Sequence, residues 1–223
     1  MKPLFETNVT AKDAIYTNIR DGNNTSQIAA RKLAESLWAK YHSYADHHFL
    51  VEIRKEFNAR FWEMYLACTL MDNGYKIAHK DEGTDIRIDL GKKIIWVEAV
   101  TPTSGDPSSP DSVPSMRMNV AQEVPDKQIT LKYCSVIKDK YLDKYFKYVT
   151  DGIIGKDDCY VIALNDSLIP WRYGDFEPPR IVRSVLPFGW QVVTIDINSH
   201  EVVRRSNQYR VSLSKEGGSE VHT

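Results

Sequence analysis

The chain has 223 residues, 42% of them hydrophobic and 26% charged, and 29 Lys and Arg against 30 Asp and Glu leave a formal net charge of −1. That length supports a sizeable core. No stretch reaches the roughly 20 apolar residues that cross a bilayer, and the start MKPLFETNVTAKD carries no hydrophobic signal run. The even charge balance excludes a globally basic nucleic-acid binder, so any basic surface must be local. Three widely spaced cysteines, Cys68, Cys134 and Cys159, fit reduced thiols rather than disulfides or a zinc knuckle. The expectation is a soluble, cytoplasmic protein without a membrane partner.

In chain order, SQIAARKLAESLWAKYHSY places Ala30, Leu33, Ala34, Leu37, Trp38 and Tyr41 on one helical stripe, with Thr25 or Ser26 as the N-cap. A second helix is expected from about Glu52 to Asp72, stopped by Asn73-Gly74 and apolar nearly all round from Phe61 to Met71. GTDIRIDLGKKIIWVEAV then reads as a β-hairpin. TPTSGDPSSPDSVP must be a loop. Thr130 to Val149 reads as helix and DCYVIALND as a buried strand. A Pro- and Gly-rich section from Leu168 to Gly189 precedes a strand WQVVTIDI and a last one around Tyr209 to Leu213, while SLSKEGGSEVHT is either a tail or one more hairpin strand. This order predicts an α/β fold: a central mixed β-sheet flanked by helices over residues 51–223, with an N-terminal helical extension over 1–50.

The hairpin carries the chemistry. A turn at Gly91-Lys92 sets Leu90 opposite Lys93, so Ile86 faces Val97, Ile88 faces Ile95 and Asp85 faces Glu98. One side is then apolar, and the other bears Asp85, Arg87, Asp89, Trp96 and Glu98. Opposed carboxylates repel, and a divalent cation removes that cost. Mg²⁺ takes hard oxygen ligands, commonly one or two carboxylates plus waters and phosphate. The plainer reading has Asp85 capping a turn after Gly83 and Glu98 pairing with Arg87 or a lysine. Glu63 is the only charge between Arg60 and Asp72 in an otherwise apolar helix, where a carboxylate without a partner is costly. An ion pair to Arg60, three residues earlier, is its plainer role.

A helix with an acidic residue, a G-x-D opening one strand and an acid ending the next apolar strand together resemble the core motif of the PD-(D/E)XK nucleases. On that resemblance Glu63 matches the helical glutamate, Asp85 in GTDI the motif aspartate, and Glu98 in WVEAV the strand acid. The similarity covers about residues 56–165 and implies a restriction-endonuclease-like core. It implies Mg²⁺, or Mn²⁺, held by Asp85, Glu98 and Glu63. The implied reaction is hydrolysis of phosphodiester bonds, with DNA ahead of RNA as the partner, by an endonuclease of restriction, repair or mobile-element type. Such an enzyme is compatible with a homodimer. The family's lysine two residues after the strand acid is replaced here by Val100. Some members supply the base from a neighbouring helix, which makes Lys140 the first candidate and Lys132 the second. Gln128 and Thr130, near the helix start, are candidates for phosphate contact, and Lys138 is a further candidate nucleic-acid-binding residue. The alternative is a catalytically inactive protein of the same fold that binds nucleic acid or a protein partner.

The local basic excess falls between Lys127 and Lys147, where six lysines face only Asp139 and Asp143. Trp171, Tyr173 and Phe176 are loop aromatics that could stack on bases or pack on the domain. No GxSxG elbow, Walker loop or GxGxxG turn is present.

Overall fold

The computed structural model describes residues 1–78, 82–173, 175 and 178–222; Phe176 lies outside the described residues. In chain order the elements are α1 (Ala14–Asp21), α2 (Thr25–Tyr41), α3 (Phe49–Glu52), α4 (Phe57–Asp72), β1 (Ile77–Ala78), β2 (Ile86–Asp89), β3 (Ile94–Val100) and α5 (Asp126–Lys138). A π-helical turn (Asp139–Tyr145) follows, then α6 (Phe146–Thr150), β4 (Cys159–Leu164), α7 (Arg180–Val185), β5 (Phe188–Ile195), β6 (Val202–Tyr209), β7 (Ser212–Ser214) and β8 (Glu220–His222). The chain is a mixed α/β protein of two compact units, Met1–Thr101 with Lys140–Asn165, and Pro102–Asp139 with Asp166–Thr223. Among the described residues no helix is long and apolar enough to cross a membrane.

The first unit holds a four-stranded sheet in the order β1-β2-β3-β4. β1, β2 and β3 pair antiparallel, and β3 pairs parallel with β4, setting Glu98 beside Ile162. The β2–β3 register pairs Ile86 with Val97 and Ile88 with Ile95. Its turn closes through the Leu90 N–H to the Lys93 carbonyl at 3.0 Å. This is the pairing the alternation demands, because a one-residue slip would bring Arg87 and Trp96 to the face that Ile86, Ile88 and Val97 bury.

That apolar face shares one core with the helices. Leu4, Tyr16, Trp38, Tyr41, Phe49, Ile53 and Met64 pack in the same cluster as Ile86, Ile88 and Val97, so residues from the first 50 positions build the core of this unit. The helix expected from Glu52 begins at Phe57. α3 ends earlier, Glu56 leaves helical geometry at φ −140° and caps nothing, and the Phe57 N–H donates instead to Asp13 Oδ2 at 3.0 Å. The same Asp13 caps α1 through its other oxygen, which accepts from Ile15 and Tyr16. For α2 the cap is Asn24, in a reciprocal capping box with Gln27, one residue before the expected positions.

The second unit is organised around a buried acid. Asp126, in the first turn of α5, accepts from Arg180 Nε at 2.8 Å and from Arg183 Nη1 and Nη2 at 2.7 and 2.9 Å. Both arginines, from α7, are 1% exposed. Leu131 and Cys134 of α5 pack with Leu213 and Val221 of the β7–β8 hairpin. The strand expected at Tyr209 to Leu213 proves to be two. Residues Val202–Tyr209 return antiparallel along β5, and Ser212–Ser214 pairs with Glu220–His222, so the Gly217-Gly218 segment is a hairpin turn. Polar residues at Arg204, Arg205, Ser206 and Asn207 hide the first of these strands from a hydrophobicity pattern. The Ser/Pro-rich segment after β3 is irregular, and Trp171 Nε1 donates to the Pro114 carbonyl within it at 2.8 Å. Tyr173 stays exposed under the Arg172 guanidinium.

Candidate active site

All of the carboxylates singled out in the sequence, and Lys140, belong to the first unit. Each is delivered by a different element. Asp85 stands one residue before β2, and its Oδ2 accepts the Ala99 N–H of β3 at 2.8 Å. The side chain thus occupies a ladder position where a backbone carbonyl would otherwise sit, which orients the carboxylate. Thr84, buried beside it, donates its hydroxyl to the Ile86 carbonyl at 3.0 Å. Gly83 precedes them at φ +103°, and a Cβ there would come within 2.9 Å of the Trp96 ring. Only glycine fits that approach.

Glu98, on β3 and 4% exposed, accepts from Lys140 Nζ at 2.6 Å. Lys140 comes from the π-helical turn, and its own carbonyl accepts the Tyr160 hydroxyl of β4 at 3.1 Å. The plainer reading of Glu98, a pair with Arg87 or a lysine, is met by this lysine, while Arg87 sets its guanidinium 5.5 Å from the Trp96 ring centroid.

Glu63 is buried on α4 at 3% exposure. Tyr41 Oη donates to its Oε1 at 2.5 Å, and Arg60 Nη1 donates to its Oε2 at 2.7 Å. The ion pair with Arg60 is therefore present, and Arg60 also reaches Asp46 at 3.3 Å. Burial, and then the negative charge of Asp85, push the Glu63 carboxyl up to about 7, against the opposing pull of Tyr41 and Arg60. Glu63 and Asp85 thus share one electrostatic environment.

Two phenols tie Asp85 to Glu98 in the same way. Burial, then Glu98 and then Asp85, push the Tyr148 hydroxyl up to about 12. Tyr160 is raised by burial first, then by Glu98, Tyr148 and Asp85. Tyr41, Tyr148 and Tyr160 were not selected from sequence. Tyr148 lies eight positions beyond Lys140, a two-turn helical spacing that could have drawn attention to it.

The remaining predicted residues lie on α5, in the second unit. The Lys132 ammonium lies against the Gly105 backbone, where an added Cβ would meet it. Lys138 is exposed, and Gln128 lines a cavity of about 720 Å³ with Lys127, Trp190 and Arg210. Thr130 needs correcting as a phosphate contact: it is fully buried, and its hydroxyl donates to the Asp126 carbonyl at 2.8 Å. Helix α5 begins at Asp126, so Thr130 lies past the first turn with its side chain bonded back to the helix.

Among the described residues, no three His, Cys, Asp or Glu side chains gather closely enough to hold a metal ion by themselves. The acidic oxygens at hand are those of Asp85, one residue before β2 and outside the paired register that runs from Ile86–Val97 to Asp89–Ile94, and of Glu98 on β3, with Glu63 electrostatically coupled to Asp85 and a lysine against Glu98. Compared with known proteins, the chain matches no family model, no curated protein and no solved structure.

Proposed function

We propose that the protein is a Mg²⁺-dependent nuclease, Mn²⁺ serving as a substitute, that hydrolyses phosphodiester bonds in DNA from a restriction-endonuclease-like, PD-(D/E)XK-type core. The observation that carries this reading is the 2.6 Å contact from Lys140 Nζ to Glu98 Oε1. Val100 stands where the resemblance calls for a lysine, and a lysine from the following helical segment meets the strand acid instead. The antiparallel pairing of β2 with β3, the parallel β3–β4 pair and the flanking α4 support the same core.

The donor set suits a hard divalent cation. Asp85 and Glu98 offer carboxylate oxygens, and the charge of Asp85 already raises the Glu63 carboxyl, a repulsion that a cation relieves. When bound by Asp85 and Glu98, with Glu63 beside them, such an ion supplies Lewis-acid activation of phosphate and water. The chain's own groups do the rest. An ammonium carries three N–H donors. Glu98 takes one from Lys140, so the others can orient the attacking water and stabilise charge on the phosphoryl oxygens. Without an ion the Glu63 carboxyl is raised to about 7 by burial and by Asp85, and a cation bound beside it would favour its ionised form. Asp85 is held in orientation by the Ala99 N–H.

The test is cleavage of plasmid and oligonucleotide DNA in Mg²⁺ or Mn²⁺. Asp85→Ala and Glu98→Ala should each abolish it while the variants keep their folded circular dichroism. No cleavage of any DNA or RNA form with either metal overturns the reading. A second reading follows from the same contact: Glu98 and Lys140 form a partly buried ion pair that can serve structure alone in an inactive, nucleic-acid-binding protein. Salt-sensitive DNA binding with no cleavage would select it.

A further inference from the structure

The π-helical turn that carries Lys140, together with the first residue of α6, presents an exposed aromatic cluster. Tyr141 and Tyr145 stack with ring centroids 5.5 Å apart and planes 8° from parallel. Phe146 closes the group at 5.3 Å from Tyr141 and 5.4 Å from Tyr145. Core aromatics would be hidden, yet Tyr141 and Phe146 are each 47% exposed. Exposed aromatic clusters of this kind mark interaction surfaces. π-helical turns are uncommon and often found at functional sites.

The cluster is fastened to the candidate site. Tyr145 packs on Tyr160 at 5.1 Å, and Tyr160 in turn donates to the Lys140 carbonyl. Lysine charge is interleaved with the rings. Lys144 makes no ion pair among the described residues, and Lys147 pairs with Asp151 at the exposed surface. Asp139 and Asp143 are the acidic residues within the turn.

We infer that Tyr141, Tyr145 and Phe146 form a stacking ledge for unpaired nucleobases, and that the substrate is a nucleic-acid strand with bases exposed beside the scissile bond. The inference rests on the nuclease reading and names its substrate class. A base inside a duplex has both faces covered by its neighbours, whereas an unstacked base offers a free π-face, which any aromatic ring can meet without sequence preference. Lys144 supplies the phosphate charge such a strand needs alongside the rings. A single strand and an overhang or flap on a duplex share this chemistry, and the experiment separates them.

Binding is measured by fluorescence anisotropy with labelled oligo(dT), a blunt duplex and a duplex bearing a single-stranded flap. All three are run in EDTA so that no cleavage enters. Tyr141→Ala and Phe146→Ala should each weaken oligo(dT) and flap binding roughly tenfold and leave the blunt duplex unchanged. Tyr141→Phe, which keeps the ring and its packing, should bind as the wild type does. Lys144→Gln should lower the salt slope by about one. Tighter binding of the flap than of oligo(dT) assigns the junction, and equal binding assigns the free strand; either supports the ledge.

Equal losses on duplex and single strand, no binding of unpaired strands, or a Tyr141-dependent dimer in light scattering overturns it. Should Tyr141→Ala fail to fold, Phe146→Ala with Tyr141→Phe decides the question. Cleavage that ignores these rings refutes the ledge alone. Ring-dependent binding without cleavage refutes the nuclease alone.

Discussion

Lys140 and Glu98 stand 42 positions apart in the chain, yet the lysine ammonium lies 2.6 Å from the glutamate oxygen. The glutamate side chain is 6% exposed and the lysine side chain 28%, so water screens the pair only in part. Removing one partner leaves the other poorly compensated. Lys140→Ala should therefore destabilise the protein by about 1–3 kcal/mol, below the roughly 3–5 kcal/mol of a fully buried pair. Glu98→Gln combined with Lys140→Met should recover part of that loss in urea denaturation. On the nuclease reading Lys140→Ala also removes cleavage while calorimetry still detects Mg²⁺ binding. Loss of metal binding together with cleavage would instead make the lysine a support for Glu98.

Glu63 gives a dependence of stability on pH with a definite sign. Its carboxyl ordinarily titrates near 4.5 and in the fold near 7. Between those values the folded protein keeps a proton that the unfolded chain has released. The stabilising contribution is thus fully present below about 4.5 and is lost as pH rises through about 7. In EDTA the Tm should fall between about pH 5 and pH 8. Glu63→Gln, which keeps a neutral hydrogen-bonding group beside Tyr41 and Arg60, should flatten the curve. A Glu63→Gln variant with the same slope as the wild type would remove this account.

Gly83 offers a local test of how Asp85 is placed. Alanine there meets both a left-handed backbone, φ +103°, and the Trp96 ring at 2.9 Å. Gly91 has φ +80° but nothing within 4 Å of an added Cβ. Gly91→Ala should cost about 1 kcal/mol, from backbone strain alone. Gly83→Ala should cost about 1–3 kcal/mol more, because Trp96 must move, and should impair the site that Asp85 helps form. Equal costs at the two positions in thermal denaturation would show that the Trp96 contact relaxes freely.

The readability of this fold follows the range of the forces involved. Strand alternation and a glycine turn are local, so the β2–β3 register could be counted from residue numbers. Glu63 drew attention because it is a single charge in an apolar helix, and such a charge must find partners. Those partners were only half visible: Arg60 lies one turn away, whereas Tyr41 lies 22 positions away on α2. The start of α4 is set by Asp13, 44 positions earlier, which no local pattern can reveal. The parallel β3–β4 pair brings Tyr160 under the turn bearing Lys140, and that crossover too is a tertiary event. Nothing local marks Arg180 and Arg183 as buried, since charged residues in a Pro-rich section are ordinarily exposed. Their burial depends on Asp126, more than 50 residues away.

That buried triad yields the last prediction. Burial opposes ionisation of Asp126, but the hydrogen bonds from Arg183 and Arg180 outweigh it and hold the carboxyl below its ordinary 3.8. Asp126→Asn removes the charge that faces two arginines at 1% exposure. The cost should be large, up to about 3–5 kcal/mol, because each buried guanidinium then loses its nearest counter-ion and keeps only the more distant Asp175. A depressed carboxyl contributes stability that is present above its ordinary value and lost as pH falls through the value it has in the fold. Wild-type protein should accordingly loosen in the second unit below about pH 4, and Asp126→Asn should show that loosening already at neutral pH. Limited proteolysis reads it directly. New cleavage between Pro102 and Asp139 or after Asp166, with Met1–Thr101 intact, is the expected pattern. Uniform cleavage of both units would mean that the triad supports the whole chain. No change would mean that Asp175, 3.8 and 3.9 Å from the two arginines, takes over as their counter-ion.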